Sequence, residues 1–252
     1  MHISLAGRTA LVTGGSRGIG RAIAIRLAEC GARVAINYVR HTAAAQETAD
    51  AIRAAGGEAL ILRANLIEHA MIREMCGRLR DAWGDRLDIL VSNAASGVTK
   101  PAMELSEHHW NWTLGINAGT LLPLAQCARP MMPEGGSIVA VSSIGALRAI
   151  PNYAAVGASK AALESLVRHL AVELAGAGIR VNAVSAGVVE TDALKHFPNR
   201  DDILGNSRAK TPAGRLTEPG DVADVVLFLV SPLARMVIGQ TVTVDGGYSV
   251  LA

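Results

Sequence analysis

The sequence is short of the features that most quickly assign a protein: it has three cysteines, only 3% aromatic residues, a net charge of +2 and no long apolar run. Each shortage removes a class. Cys30, Cys76 and Cys127 are odd in number, widely spaced and without a Cys-x-x-Cys pair, so neither a disulfide framework nor a thiolate metal centre is expected. All three are read as buried free thiols. The seven histidines are scattered, and His108 and His109, adjacent on a helical pattern, point about 100° apart, so they do not converge on one ion. No metal site is expected. A near-balanced charge excludes a chain built as a whole to bind nucleic acid, while leaving room for a local basic patch. No segment approaches the roughly 20 uninterrupted apolar residues of a membrane span. Met1 to Arg8 also lacks the apolar stretch of a signal peptide. The expectation is a soluble cytoplasmic protein.

Hydrophobic residues are half of the chain, and there are 26 glycines. That composition suits one α/β domain spanning residues 1–252, since single domains of this kind reach about 250 residues. Short apolar runs alternate with longer segments of helical period, the pattern of a doubly wound parallel sheet, Rossmann-type, with helices on both faces. Seven strands are predicted: 9–13, 33–38, 58–63, 89–92, 137–142, 180–185 and 241–245. Helices are predicted near 18–30, 42–55, 68–83, 107–129, 153–176 and 219–231. The stretch 190–216 breaks the alternation with mixed charges, Gly205, Pro198 and Pro212. Connections that long in a compact domain are usually lids or binding segments, and this one is expected to fold over a substrate.

Directly after the first predicted strand comes Thr13-Gly14-Gly15-Ser16-Arg17-Gly18-Ile19-Gly20, then a helical pattern. Glycines let a backbone turn sharply against a pyrophosphate, and a helix N-terminus supplies free amides and a favourable dipole. Strand, turn and helix together predict a dinucleotide site on Gly14, Ser16, Arg17, Gly18, Ile19 and Gly20. The end of the second strand, Ile36-Asn37-Tyr38-Val39-Arg40, lacks the carboxylate that binds the adenosine ribose of NAD. With Arg17 and Arg40 available to a 2′-phosphate, NADPH is the expected cofactor.

These residues resemble the short-chain dehydrogenase/reductase family along essentially the whole chain. Thr13 to Gly20 is similar to its cofactor turn, Ser92-Asn93-Ala94-Ala95 to its Asn-Asn-Ala-Gly strand end, and Asn117 to its catalytic asparagine. Ser142-Ser143, Lys160 and Ala186-Gly187 fall where that family has its serine, its lysine and a Pro-Gly turn. The resemblance extends the cofactor contacts to Asn37, Asn65, Leu66, Asn93, Ala94 and Lys160, and, beyond the sixth strand, to Gly187, Val189 and Thr191.

Tyr153 and Lys160 stand seven residues apart, whereas the family's acid usually precedes the lysine by four, where this chain has Val156. Valine donates no proton. On a helix, the three-residue displacement moves the phenol about 4.5 Å along the axis. Carbonyl reduction needs the acid near the nicotinamide. A conjugated enoyl thioester takes hydride at its β-carbon and develops charge on an oxygen two carbons further along, so its acid stands further off.

The spacing is similar to that of enoyl-acyl-carrier-protein reductases, most closely the NADPH-dependent type III. Asn93 to Gly97, Pro101 to Leu105, Asp192 to Arg200 and Ala209 to Arg215 carry that likeness. It implies that Tyr153 hydrogen-bonds the enolate oxygen and that Lys160 holds the nicotinamide ribose while depressing the phenol's pKa. Asn117 would bind a water on the proton path or bridge backbone groups. Ser143, where the bacterial enoyl reductase has a second tyrosine, would bind substrate as in carbonyl reductases or serve as a turn hydroxyl.

The leading expectation is reduction of a trans-2-enoyl thioester in fatty-acid or related acyl biosynthesis. Two alternatives stay open: a 3-ketoacyl or carbonyl reductase, and a catalytically idle NADP-binding module. Lys195, Arg200, Arg208, Lys210 and Arg215 put five cations on the predicted lid, suited to an acidic acyl carrier protein or to the phosphates of coenzyme A, or simply to solvent. The family analogy implies a homotetramer.

Overall fold

The apolar runs form strands, and the sheet they build is parallel throughout. In the computed structural model, which describes residues 3–190 and 200–251, the strands are β1 (Thr9–Val12), β2 (Arg33–Tyr38), β3 (Ala59–Arg63), β4 (Ile89–Ser92), β5 (Gly136–Ser143), β6 (Ile179–Ala186) and β7 (Thr241–Val244). Their order is β3-β2-β1-β4-β5-β6-β7. The direction of strand addition reverses between β1 and β4, which opens a crevice at the carboxyl ends of those two strands.

Eight α-helices accompany the strands among the described residues: α1 (Gly18–Glu29), α2 (Thr42–Ala54), α3 (His69–Trp83), α4 (Glu107–Leu114), α5 (Leu121–Ala128), α6 (Ala154–Ala175), α7 (Arg200–Lys210) and α8 (Pro219–Val230). Side chains alternate across each strand, so Ala10 and Val12 pack with Ile23 and Leu27 of α1 and Val226 of α8, while Leu11 packs with Ile72 of α3, Leu124 of α5 and Leu163 of α6. Both faces are therefore buried, which is why the strands read as continuous apolar runs instead of alternating ones.

Three expectations change. The single helix expected over 107–129 is interrupted by a π turn at Gly115–Gly119. One residue inserted into a helix shifts the phase of the pattern by about 100°, but so short a turn is not separable from the helical periods of the segments that flank it. The insertion carries Asn117 into the interior. Within the stretch expected to be a lid, α7 forms at 200–210, and Val189 bridges in parallel to Thr217 across the excursion. Finally, Cys76 and Cys127, read as free thiols, are joined as a disulfide between α3 and α5, with Cα atoms 6.5 Å apart, because those helices pack side by side on the same sheet face. Only Cys30 is free.

The amino ends of the central strands, away from the crevice, are fastened by Asp88, which immediately precedes β4. Its carboxylate accepts from Arg8 Nη1 at 2.6 Å, Arg86 Nε at 3.0 Å and the Thr9 amide at 2.9 Å. Its backbone carbonyl accepts from the Ser137 amide, so one residue ties β1, β4 and β5. Burial would raise its pKa, but the bonds from Arg86, Arg8 and Thr9 outweigh burial and hold it below the ordinary value. A carboxylate with a depressed folded pKa stabilises the fold above its unfolded value and loses that contribution as pH falls through the folded one. Asp88→Asn is expected to lower stability at pH 7 by about 2 kcal/mol, read from urea midpoints. The gap from wild type should narrow below about pH 4, and a gap as wide at pH 3 as at pH 7 would rule out the charge as its cause.

Candidate active site

The crevice between β1 and β4 is organised around the glycine-rich turn. Gly14 and Gly18 take φ of +62° and +54°, conformations that favour glycine. A Cβ on Gly20 would run into the Gly14 carbonyl and the Asn93 carboxamide. Arg17, the N-cap of α1, makes no side-chain cap bond, so the amides that open α1 have no acceptor from a capping side chain. They suit an anion.

Asn93 locks this turn to β4. Its amide and that of Ala94 donate to Thr13 Oγ1 at 2.9 and 3.0 Å, and its Nδ2 donates to the Thr13 and Gly14 carbonyls at 2.9 and 3.1 Å. Asn37, at the end of β2, is buried, with Oδ1 facing the Gly14 amide at 3.4 Å and Nδ2 donating to the Ala64 carbonyl at 3.1 Å. It shapes the turn from beneath. Ser16 is buried, and its carbonyl accepts from Thr48 Oγ1 at 3.1 Å. Ile19 is half-buried, while Arg17 and Arg40 are exposed beyond the ends of β1 and β2. Asn65 is turned to Glu68, its Nδ2 2.7 Å from Oε1, and Leu66 is core.

Across the crevice, the Gly187 amide donates to the Val244 carbonyl at 2.9 Å, and a Cβ there would lie 2.7 Å from that of Asp245. Val189 is buried, and Thr191 lies outside the described residues. Uncapped amides, glycines where a side chain would clash, and the absence of a carboxylate at the end of β2 fit a nicotinamide dinucleotide.

The second half of the site lies along α6. Tyr153 is the N-cap of this helix, not a member of it, with φ −111° and ψ 11°. The turn at Asn152, φ +62°, sets its direction. Its ring covers Gly145, where a Cβ would come within 2.5 Å of the ring edge, and its hydroxyl faces Ser143 Oγ at 3.5 Å. Val156 is buried, with a methyl pressed against Gly97. Lys160 is 6% exposed and donates from Nζ to the Val141 carbonyl at 2.7 Å. Asn117 bridges two segments: Oδ1 accepts from the Ser96 amide and Nδ2 donates to Ser159 Oγ, both at 2.9 Å. Of the two roles open to it, bridging is the one these bonds describe.

The electrostatics differ from expectation in one respect. Burial raises the Tyr153 pKa and the bond to Ser143 only partly opposes it, a net shift opposite in direction to the lowering expected from Lys160. The tyrosine stays protonated at neutral pH. Burial pulls Lys160 down to about 8, against a smaller opposing attraction from Glu164.

A cavity of about 470 Å³ adjoins the phenol, with a mostly apolar wall that includes Ala102, Leu147, Ile150 and Ala158 and with Arg148 as its charged group. Tyr153 is the one residue of the expected catalytic four that lines it. Arg148 donates from Nη2 to the Ser249 carbonyl at 2.8 Å, and the turn that presents Ser249 also accepts the Ala213 amide at Gly246. Of the cations expected on the lid, Arg215 is engaged in a two-pronged pair with Asp221 at 2.6 and 2.8 Å, and Arg208 and Lys210 are exposed. Lys195 and the side chain of Arg200 lie outside the described residues. Thr13 and Ser142 were noted only as members of motifs, and Ser159 and Glu164 were not anticipated. Of these, only Glu164, one helical turn after Lys160, carries a signal in spacing.

Sheet order, glycine turn and the Tyr153, Lys160 and Asn117 cluster define a nucleotide-dependent oxidoreductase of the Rossmann class. The chain belongs to the short-chain dehydrogenase/reductase family, and the family model that matches it, over residues 14–249, is described as enoyl-(acyl carrier protein) reductase. It is 38% identical over 247 residues to 1-cyclohexenylcarbonyl-CoA reductase of Streptomyces collinus, covering 97% of this chain and 88% of that one. It superposes on 7α-hydroxysteroid dehydrogenase complexed with NADH and 7-oxo glycochenodeoxycholic acid with TM-score 0.91 and 34% identity, over 98% of this chain and 96% of that chain. A chain from Beutenbergia cavernae solved with NADP at low occupancy superposes with TM-score 0.92 and 36% identity over 100% of both chains. Solved relatives of this fold thus carry nicotinamide cofactors.

The lysine gives a test that needs no substrate. Its folded pKa of about 8 lies below the ordinary 10.5, so between those values the unfolded chain holds more protons and stability rises with pH. Lys160→Met lacks this titration. Its stability relative to wild type, from urea midpoints, is expected to fall as pH rises from about 8 to about 10. A difference that does not vary with pH would show that the ammonium is not buried.

Proposed function

We propose that the chain reduces the carbon–carbon double bond of a trans-2-enoyl thioester with NADPH. The observation that carries this reading is the exchange of positions on α6: the phenol stands at the N-cap beside Ser143, and the place four residues before Lys160 is filled by Val156, packed on Gly97. The likeness to an enoyl thioester reductase of Streptomyces collinus supports the same reaction.

When bound, NADPH supplies a hydride to the β-carbon of the substrate. Tyr153, whose phenol keeps its proton at neutral pH, donates a hydrogen bond to the thioester oxygen as charge develops there. Protonation at the α-carbon completes the addition. Lys160 holds the nicotinamide ribose, and the Asn117 bridge to Ser159 keeps the helix that carries it in register with the 93–96 segment. Gly14, Gly18, Ile19 and Gly20 receive the pyrophosphate, and Arg17 and Arg40 receive the 2′-phosphate. The apolar cavity beside Tyr153 takes the acyl group.

A coenzyme A or acyl-carrier-protein thioester would approach past the exposed Arg208 and Lys210. The reading places the enzyme in the cytoplasm, in fatty-acid or related acyl synthesis, as a homotetramer. Exposed apolar side chains such as Leu122, Val172 and Met236 support burial against further copies.

One observation favours a second reading. Ser143 and Tyr153 put two hydroxyls side by side, a pair that suits a carbonyl oxygen, and a structural relative is a hydroxysteroid dehydrogenase. NADPH oxidation with a trans-2-enoyl thioester and with the matching 3-keto thioester separates the two. Enoyl turnover is expected to dominate and to fall about 100-fold or more in Tyr153→Phe. Preferential turnover of the ketone would replace the proposed reaction with carbonyl reduction, and turnover of neither would leave a binding module.

Cofactor choice is tested separately. Arg40→Ala is expected to weaken NADPH binding about tenfold and to leave NADH unchanged. Equal effects on both would remove Arg40 from phosphate recognition.

A further inference from the structure

The proposed reaction leaves one buried acid on α6 without a task. Glu164 is 5% exposed, one helical turn after Lys160 and on the same face. A carboxylate removed from water is costly unless a cation and hydrogen bonds compensate it. Ser142 supplies a hydrogen bond, its Oγ donating to Glu164 Oε1 at 2.6 Å. Lys160 donates to the carbonyl of Val141, the preceding residue of β5, at 2.7 Å. Lysine and glutamate thus bond to consecutive residues of one strand, the first to the Val141 carbonyl and the second to the Ser142 hydroxyl. Attraction from Glu164 is the charge interaction that opposes the desolvation of Lys160.

We propose that Glu164 is a positioning residue for Lys160, keeping the ammonium charged and held on β5 where it meets the cofactor ribose. This rests on the reading above only in giving Lys160 the ribose. Groups on the neighbouring elements do not duplicate the role. Tyr153 at the start of α6 is neutral, β5 presents the Ser142 and Ser143 hydroxyls, and the π turn presents the Asn117 amide. On α4, Glu107 and His108 are exposed and His109 is engaged in a capping box with Ser106. Asn182 and Ser185 of β6 are uncharged.

The test is the pH dependence of NADPH binding, followed by nucleotide fluorescence from about pH 6 to about 9.5, with the purified full chain. Glu164→Gln preserves shape and removes charge. Its alkaline loss of affinity is expected about one pH unit below that of wild type, with affinity near pH 6 within about twofold. Glu164→Asp, which retains the charge on a shorter side chain, should shift less and serves if the glutamine variant does not fold. Profiles that coincide with wild type, with or without a fall in melting temperature, would overturn the proposal by making Glu164 a packing residue only. Because binding needs no acyl substrate, enoyl turnover measured alongside distinguishes the failures. Lost turnover with a shifted binding profile counts against the reaction alone, and normal turnover with an unshifted profile counts against Glu164 alone.

Discussion

Thr13 Oγ1 donates to the Val91 carbonyl and accepts the amides of Asn93 and Ala94, all at the place where strand order reverses. The site depends on that clasp because it joins the two strands whose divergence creates the crevice. From Asn93 the order passes along the chain to Ser96, then through Asn117 to Ser159, the residue next to Lys160. A cofactor turn after β1 and a lysine on α6, 140 residues apart by number (160 − 20), are therefore referred to one another by a short path of hydrogen bonds. None of its members is charged, so the path is not screened by salt as exposed ion pairs are.

The charged groups near the reacting end follow a different logic. Burial pushes Tyr153 and Lys160 in opposite directions on the pH scale, and both shifts favour the neutral side chain. The phenol keeps its proton at neutral pH, as an unperturbed one would, and burial moves its titration further away. The two ends of the sheet contrast in this respect. At Asp88, guanidinium bonds overcome burial and keep the carboxylate ionised, which suits a fastening. At Lys160, burial prevails, which suits a group whose surroundings change when a ligand arrives.

Much of the fold was legible. Short β-rich apolar runs such as Val34 to Tyr38, buried on both faces, announce parallel strands, and the glycines at 14, 18 and 20 announce the turn, the first two by positive φ and the third because a Cβ would clash. The site was legible where residue type alone carries the chemistry, as at Tyr153 and Lys160. It was less so where a backbone irregularity decides. The π turn that turns Asn117 inward is too short to stand out in the apolar pattern, and the placement of Tyr153 just outside α6 depends on the single turn at Asn152. Helical spacing described its distance from Lys160 but not its orientation. Nor does sequence reveal pairing across elements: Cys76 with Cys127, Arg215 with Asp221 and Ser142 with Glu164 meet only once helices and strands have packed.

The turn after β7 has a consequence in time. Asp245 accepts the amides of Gly247 and Ser249, and the turn so formed receives the Ala213 amide at one point and the Arg148 guanidinium at another. During synthesis the cradle at residues 13–20 and its partner Asn93 leave the ribosome well before this turn does. Arg148, in the wall of the cavity beside Tyr153, therefore gains this anchor only once the turn has been made and the domain has packed.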